Sequence, residues 1–156
     1  MPYRVLDDAT TYDLAFVAWA DTLEHLFREC WDATLALTIE NSESVEAVDE
    51  WSFDVEHDSV DLLLCEFLDE FLYLKDSDGA VYRLARVSIE TPGIVSTVQS
   101  LVDEERGAYR LSATVCGEAI DPERHAIGAD IKGVTLYELL VEERDGGWFA
   151  RVVLDV

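Results

Sequence analysis

Basic residues are scarce in this chain, and lysine is almost missing. Against 34 acidic residues there are 11 basic ones, of which only Lys75 and Lys132 are lysines, and the formal net charge is −23. Direct electrostatic binding of nucleic acid is therefore not expected, because it needs a basic patch that displaces counterions from phosphates. Acidic charge spread along a chain with so little lysine is typical of proteins that work in high salt, where screening weakens self-repulsion. The alternative is that the acidic residues serve solubility alone.

The three cysteines, Cys30, Cys65 and Cys116, form no CxxC pair. Their odd number and wide spacing indicate neither a disulfide framework nor a zinc site. Cys30 and Cys65 fall among apolar residues of predicted helices, where a free cysteine behaves as a small hydrophobic residue. A thiol nucleophile is therefore not expected.

Long apolar runs and glycine-rich loops are also missing. No stretch approaches the roughly 20 apolar residues of a membrane-spanning helix, and residues 1–13 lack the basic start and apolar stretch of a signal peptide. The chain contains no GxGxxG, no GxxxxGK followed by Ser or Thr, and no GxSxG. These absences argue against a phosphate-binding loop and against a hydrolase of the nucleophile-elbow type. We expect a soluble, cytoplasmic protein.

The chain has enough apolar residues to form a hydrophobic core, since 49% of its 156 residues are hydrophobic. This length predicts one domain, residues 1–156. Its clearest element is the stretch 132–156, in which Asp145-Gly146-Gly147 predicts the turn of a β-hairpin. After the turn, every second residue is apolar, so one face of the last strand carries Trp148, Ala150, Val152 and Leu154.

Two amphipathic helices are predicted where apolar residues recur every three or four positions. The first is capped by Asp21 and runs to about Leu37, and the second is capped by Asp58 or Ser59 and runs to about Leu74. Besides the final hairpin, strands are predicted at residues 3–6, 13–19, 51–55, 81–90, 94–102 and 109–116, with a loop at 118–130. Together these elements predict an α+β, two-layer domain, with a mostly antiparallel sheet of six to seven strands and both helices on one face.

Four polar residues are candidates for a function, and each leaves two interpretations open. Asp13 begins one predicted strand and Asp155 ends another, each on the face away from the apolar row of its strand. They are either solvated surface acids or, if the two strands pair antiparallel, neighbours at one edge of a sheet. Lys132 either contacts an acidic or nucleotide-bearing partner or is an ordinary surface lysine. His125 is either a metal ligand or switch, or it packs a loop.

Six segments spread over most of the chain form an ordered set of motifs: YRVLD (3–7), DLAFVAWADTLEHLF (13–27), DLLLCEFLDEFLYL (61–74), GEAIDPERH (117–125), IKGVTLYELLV (131–141) and GWFARVVLDV (147–156). In this order they resemble the archease family. The C-terminal segments are the most specific, and the helices alone would carry little weight.

The chain departs from the family pattern in three places. Where the family usually has Asp-His-Thr-Ala-Asp after the first strand, this chain has DDATTYD (7–13), which is longer and has no histidine. Where the family often has VTYH, this chain has Val134-Thr135-Leu136-Tyr137. Residues 91–108 contain an insertion.

The resemblance implies a protein cofactor without catalytic residues of its own. Archeases activate the GTP-dependent RNA-splicing ligase of the RtcB type, promoting its guanylylation and multiple turnover in tRNA splicing. The resemblance also implies a calcium site, or a site for Mg²⁺ or another divalent cation, formed here by Asp13, Asp155 and a main-chain or terminal oxygen of Val156. Hard cations take oxygen ligands, and a cation relieves the repulsion between neighbouring carboxylates. Asp7 and Asp8 are further candidate ligands in the altered loop.

Two other classes of function remain as alternatives. A small metal-dependent, nucleotide-processing enzyme would use Asp13, His125 and Lys132 around a pocket and would act without a partner. A chaperone-like module would instead bind proteins through an exposed apolar surface, which exposure of Trp19, Trp51 or Phe149 would favour.

Overall fold

The computed structural model describes residues 2–6, 13–92 and 108–156. In chain order, the elements within these ranges are β1 (Tyr3–Leu6), β2 (Asp13–Ala20), α1 (Leu23–Thr38), a 3-10 turn (Ser42–Ser44), β3 (Asp49–His57), α2 (Val60–Asp78), β4 (Ala80–Glu90), β5 (Tyr109–Ala119), β6 (Gly133–Arg144) and β7 (Gly147–Asp155). The strand predicted at 94–102, and the turns predicted around residues 93 and 107, lie outside the described residues.

The strands form two antiparallel sheets, with the strand orders β1-β2-β7-β6 and β3-β5-β4. The α+β class and the antiparallel pairing are confirmed. The strands nevertheless divide between two sheets where we expected one, and each helix contacts strands of both sheets instead of lying on one face of a single sheet. Strand partners that are far apart in the chain are selected by which apolar faces can be buried together, and the local pattern of each strand does not contain that information.

The hydrophobic core lies between the helices and the inner faces of both sheets, and Trp31 of α1 is at its centre. Its fully buried ring lies 5.0 Å from the ring of Phe67, 5.2 Å from that of Phe71 and 6.2 Å from that of Phe53, measured between centroids. Its indole Nε1–H donates to the carbonyl oxygen of Tyr82 at 2.9 Å. One residue therefore joins both helices to the three-stranded sheet, and removal of a buried tryptophan costs about 3–5 kcal/mol in comparable cores.

The ends of the helices follow local rules, with one correction. Thr22, and not the predicted Asp21, is the N-cap of α1, and its hydroxyl accepts a hydrogen bond from the backbone N–H of His25. Ser59 precedes α2 as expected, and the helix continues beyond Leu74 until Gly79 adopts a left-handed conformation, with φ of 61°. Among the described residues, neither helix combines the length and apolar character needed to cross a membrane.

The final hairpin is confirmed. Asp145 and Gly146 have φ angles of 53° and 80°, as the two central residues of a tight type I′ hairpin turn require. At the other end of this hairpin, the register between β6 and β7 shifts between Thr135 and Leu140. The register therefore places the start of β6 beside the end of β7, next to the start of β2.

Candidate metal and partner-binding edge

Asp13 and Asp155 lie directly opposite each other. They are register partners at the open end of the β2–β7 pair, where Asp13 is the first residue of β2 and Asp155 the last of β7. Opposed residues of an antiparallel pair project from the same face with their Cβ atoms about 5 Å apart. Asp155 is exposed and Asp13 partly buried. The condition that we set for a shared site, antiparallel pairing of these two strands, is therefore fulfilled.

Lys132 and Val156 lie at the same end of β7 as Asp155. Gly133 is the register partner of Asp155 on the other side of β7, and the backbone N–H of Lys132 donates to the carbonyl oxygen of Asp155 at 2.7 Å. The Lys132 side chain is exposed, whereas that of Val156 packs against the core. We call Asp13, Asp155, Val156 and Lys132 the acidic edge.

A buried ammonium group anchors the chain just before Lys132. The Nζ of Lys75, on α2, donates to the carbonyl oxygen of Ile131 at 2.9 Å and to the Asp130 carboxylate at 3.1 Å. A charge in so buried a position is stabilised only when it is well paired and hydrogen-bonded. Lys75 and Lys132 are the two lysines of the chain, and Lys75 thus holds the backbone immediately before Lys132 in place.

The donor atoms of the acidic edge suit a hard divalent cation, although they do not form a complete site. Two carboxylates facing each other, with main-chain oxygens beside them, are the oxygen ligands that Ca²⁺ and Mg²⁺ take. Within residues 2–6, 13–92 and 108–156, no group of three or more His, Cys, Asp and Glu side chains could hold a metal ion. Since Ca²⁺ takes six to eight ligands, water or groups from a partner would have to supply most of them. The candidate ligands Asp7 and Asp8 lie outside the described residues.

The sequence did not reveal a second polar cluster, which we call the Glu118 clamp (Glu118, Arg124 and His125). Glu118 is the next-to-last residue of β5 and not, as expected, the first of a loop. Its carboxylate accepts from the backbone N–H of Glu46 at 2.6 Å and pairs with the Arg124 guanidinium. The Glu46 N–H, and then Arg124 and His125, lower the pKa of Glu118 to about 2. The sequence does contain a signal for this cluster, because Glu118 follows a glycine and precedes the adjacent pair Arg124-His125 by six residues.

His125 packs the loop and is not free to bind a metal. It is 2% exposed, its Nδ1 accepts from the backbone N–H of Asp121 at 2.9 Å, and its Nε2 lies 3.1 Å from Glu118. Both ring nitrogens are therefore occupied. A groove of about 540 Å³ on the three-stranded sheet is lined by residues that include Arg86, Ser112 and Thr114, but by none of Asp13, His125 and Lys132. This groove therefore does not bring together the three residues that a nucleotide-processing enzyme would use.

The chain is similar to known proteins in sequence over nearly its whole length. The profile of the Archease protein family (MTH1598/TM1083) matches residues 3–156. The chain is 32% identical over 147 residues to protein archease of Pyrococcus furiosus, covering 94% of each chain. It is 30% identical over 156 residues to protein archease of Methanopyrus kandleri, covering 100% of each.

Two solved structures have the same fold. The solution structure of Methanobacterium thermoautotrophicum protein 1598 matches with a TM-score of 0.76 and 27% identity, over 99% of each chain. The crystal structure of an archease from Thermotoga maritima, described as a possible chaperone, matches with a TM-score of 0.60 over 94% of this chain and 92% of that one. At 17% identity the second likeness concerns the fold alone. The similarity in sequence and the similarity in fold agree, and the chain belongs to the archease family.

Proposed function

We propose that this protein activates a GTP-dependent RNA-splicing ligase of the RtcB type. We also propose that a divalent cation binds at its acidic edge, and that Ca²⁺ is the preferred ion. The observation that carries the proposal is the position of Asp13 opposite Asp155. Family membership and the exposed Lys132 beside this pair support it. The net charge of −23 supports a protein partner, not direct contact with the RNA.

In this proposal each residue of the acidic edge has a binding or positioning role. Asp13 and Asp155 hold the cation through their carboxylates, and main-chain oxygens near Val156 are available beside them. The cation supplies positive charge and open coordination positions. Lys132 donates to a carboxylate or phosphate of the partner. The buried pair of Lys75 with the Ile131 carbonyl keeps residues 131 and 132 in place.

Activation follows from differential binding. A partner protein changes a conformational equilibrium only by binding one state more tightly than the other. We propose that the acidic edge binds the ligase state that is competent for guanylate loading. Coupling free energies between binding sites are commonly 1–3 kcal/mol, so we expect a gain of about 5- to 150-fold in guanylylation or turnover.

The experiment uses purified ligase with GTP, divalent metal and RNA, in the presence and absence of this protein. We expect faster guanylylation and more turnovers with the wild-type protein, and a loss of that gain with Asp155→Asn. Asp145→Asn is the matched control, because it removes the same charge from the turn at the opposite end of the same hairpin and asparagine accepts the left-handed conformation there. Absence of any gain with the wild-type protein would end the proposal.

A chaperone-like role is the second candidate, and the exposure of two tryptophans favours it. Trp19 of β2 is 44% exposed and Trp51 of β3 is 46% exposed. Phe149 is less available, because the guanidinium of Arg144 lies 3.8 Å from the centroid of its ring. A chaperone would suppress aggregation of an unfolded client without the ligase, and the Asp155→Asn variant would do so as well as the wild type.

A further inference from the structure

An irregular segment interrupts β6 close to the acidic edge. Thr135 is the register partner of Val153, and the next paired residue, Leu140, faces Arg151. Residues 136–139 therefore lie opposite Val152 alone, so that four residues of β6 face one residue of β7. We call this segment the β6 bulge (residues 136–139). Bulges of this kind redirect side chains and are common next to functional sites.

The bulge exposes two large apolar side chains. Leu136 is 64% exposed and Tyr137 is 71% exposed, and they are adjacent in the chain. Leaving them in water forgoes the free energy that burial of a leucine or an aromatic ring supplies. Adjacent exposed apolar side chains on a highly acidic surface are typical of a protein contact.

The conformation of the bulge is held by specific contacts. Glu138 has a φ of 56°, in the left-handed region that disfavours a residue with a side chain. Arg151 compensates by donating from Nε at 3.0 Å and from Nη2 at 2.6 Å to the Glu138 carboxylate. The hydroxyl of Thr135 also donates to the carbonyl oxygen of Tyr137 at 3.4 Å. The strained backbone is therefore maintained by the surrounding structure, which is the usual condition of backbone strain at functional positions.

The position of the bulge indicates what covers it. Gly133 faces Asp155, and Thr135 follows two residues later, about 7 Å along the strand. The bulge thus begins about 10 Å from the acidic edge. An ordinary protein–protein interface covers roughly 800 Å² on each partner, an area about 30 Å across. A footprint of this size that is centred on Asp155 extends about 15 Å in each direction and therefore reaches the position of the β6 bulge.

We propose that the β6 bulge is the apolar anchor for the same partner that binds the acidic edge, namely the ligase. The complementary surface of the ligase is an apolar socket that accepts Leu136 and Tyr137, with a positively charged rim beside it. Such a rim complements the net charge of −23. This inference rests on the proposed function and adds the source of affinity, because anchors that enter apolar sockets dominate most interfaces.

The test measures the affinity of the purified ligase for the full-length protein by calorimetry in molar potassium chloride. The variant carries Leu136→Ser together with Tyr137→Ser. The matched control carries Val48→Ser together with Tyr73→Ser, which removes an aliphatic and an aromatic side chain that are 66% and 60% exposed elsewhere. We expect the bulge variant to bind the ligase at least about 30-fold more weakly, with unchanged Tm and unchanged Ca²⁺ binding, and the control to bind as the wild type does.

Each other outcome overturns the inference. If the wild type activates the ligase and the bulge variant binds it equally well, the bulge is not the anchor, while the proposed function stands. If the wild type neither binds nor activates the ligase, the proposed function fails and the inference fails with it. If sedimentation shows that the bulge variant loses a wild-type dimer without losing ligase affinity, the bulge binds a second copy of this chain.

Discussion

The imidazole of His125 lies 3.1 Å from the carboxylate of Glu118, and both side chains are buried. Nδ1 of His125 accepts a hydrogen bond from the backbone N–H of Asp121. The ring proton is therefore on Nε2, which donates a hydrogen bond to the Glu118 carboxylate. Arg124 extends the network by donating from Nη1 to the carbonyl oxygen of Ser44 at 2.8 Å. The Glu118 clamp thus fastens the segment after β5 to the segment between α1 and β3.

The clamp predicts a loss of stability in acid. The folded state lowers the pKa of Glu118 from 4.5 to about 2, so the unfolded chain takes up a proton at a higher pH than the folded chain does. The stabilisation from this carboxylate is complete above about pH 4.5 and is lost as the pH falls toward 2. Unfolding in urea, followed between pH 6 and pH 2.5 at constant high salt, measures this loss.

The substitution Glu118→Gln isolates the contribution of the clamp. We expect a Tm several degrees below that of the wild type at pH 7, and a smaller difference at pH 2.5. Glu123→Gln removes an exposed carboxylate from the same loop and is the control, for which no change is expected. Equal pH profiles for Glu118→Gln and the wild type would contradict this account of the clamp.

Elements whose signals are local were predictable from the sequence. The hairpin turn was predictable because Asp145 and Gly146 tolerate positive φ, and the helices because their apolar residues recur on one face. The cap of α1 was misplaced by one residue, since Asp21 and Thr22 are both good caps and only the geometry selects Thr22. The division into two sheets was not predictable, because it depends on contacts between segments far apart in the chain.

The candidate site was predictable only in part, for the same reason. Asp13 and Asp155 could be placed at strand ends, but their meeting required the pairing of β2 with β7. The role of Glu118 was missed because one of its three contacts comes from a distant segment. Arg124 and His125 lie six and seven residues after Glu118 in the sequence, whereas Glu46 lies 72 residues before it. The β6 bulge was also missed, since Val134-Thr135-Leu136-Tyr137 has no glycine to mark an irregular strand.

A substitution at Gly117 tests how closely β4 and β5 are packed. A Cβ on Gly117 would lie 2.0 Å from the carbonyl oxygen of Val81 and 2.6 Å from Cα of Tyr82, both of which are backbone atoms that cannot move aside. We expect Gly117→Ala to cost at least about 2 kcal/mol, or roughly 4–8 °C in Tm. Gly133→Ala is the control, because its Cβ would have no neighbour within 4 Å. Similar Tm values for the two variants would refute the close approach of these strands.

The three thiols are predicted to react in a fixed order. Cys30 is fully buried, and its burial, followed by the charge of Glu29, raises the pKa of its thiol. Burial, followed by the Asp69 carboxylate, raises the pKa of Cys65 to about 11. Cys116 is partly exposed. Because the thiolate is the reactive form, alkylation at pH 8 should label Cys116 first and Cys30 last.

A time course with iodoacetamide, read by peptide mass spectrometry, measures this order. The urea-unfolded chain is the control, in which all three cysteines should react at similar rates. Labelling of Cys30 in the folded protein at the rate of Cys116 would be inconsistent with a closed core around α1.

The most direct test of the central claim is a calorimetric titration of the purified protein with Ca²⁺ in molar potassium chloride. We predict one site per chain for the wild type and for Asp145→Asn, and binding weakened by about tenfold or more in both Asp13→Asn and Asp155→Asn, because each removes one of the two facing carboxylates. Ca²⁺ binding that is unchanged in both of these variants, or absent from the wild-type protein, would contradict the assignment of a cation site to the acidic edge.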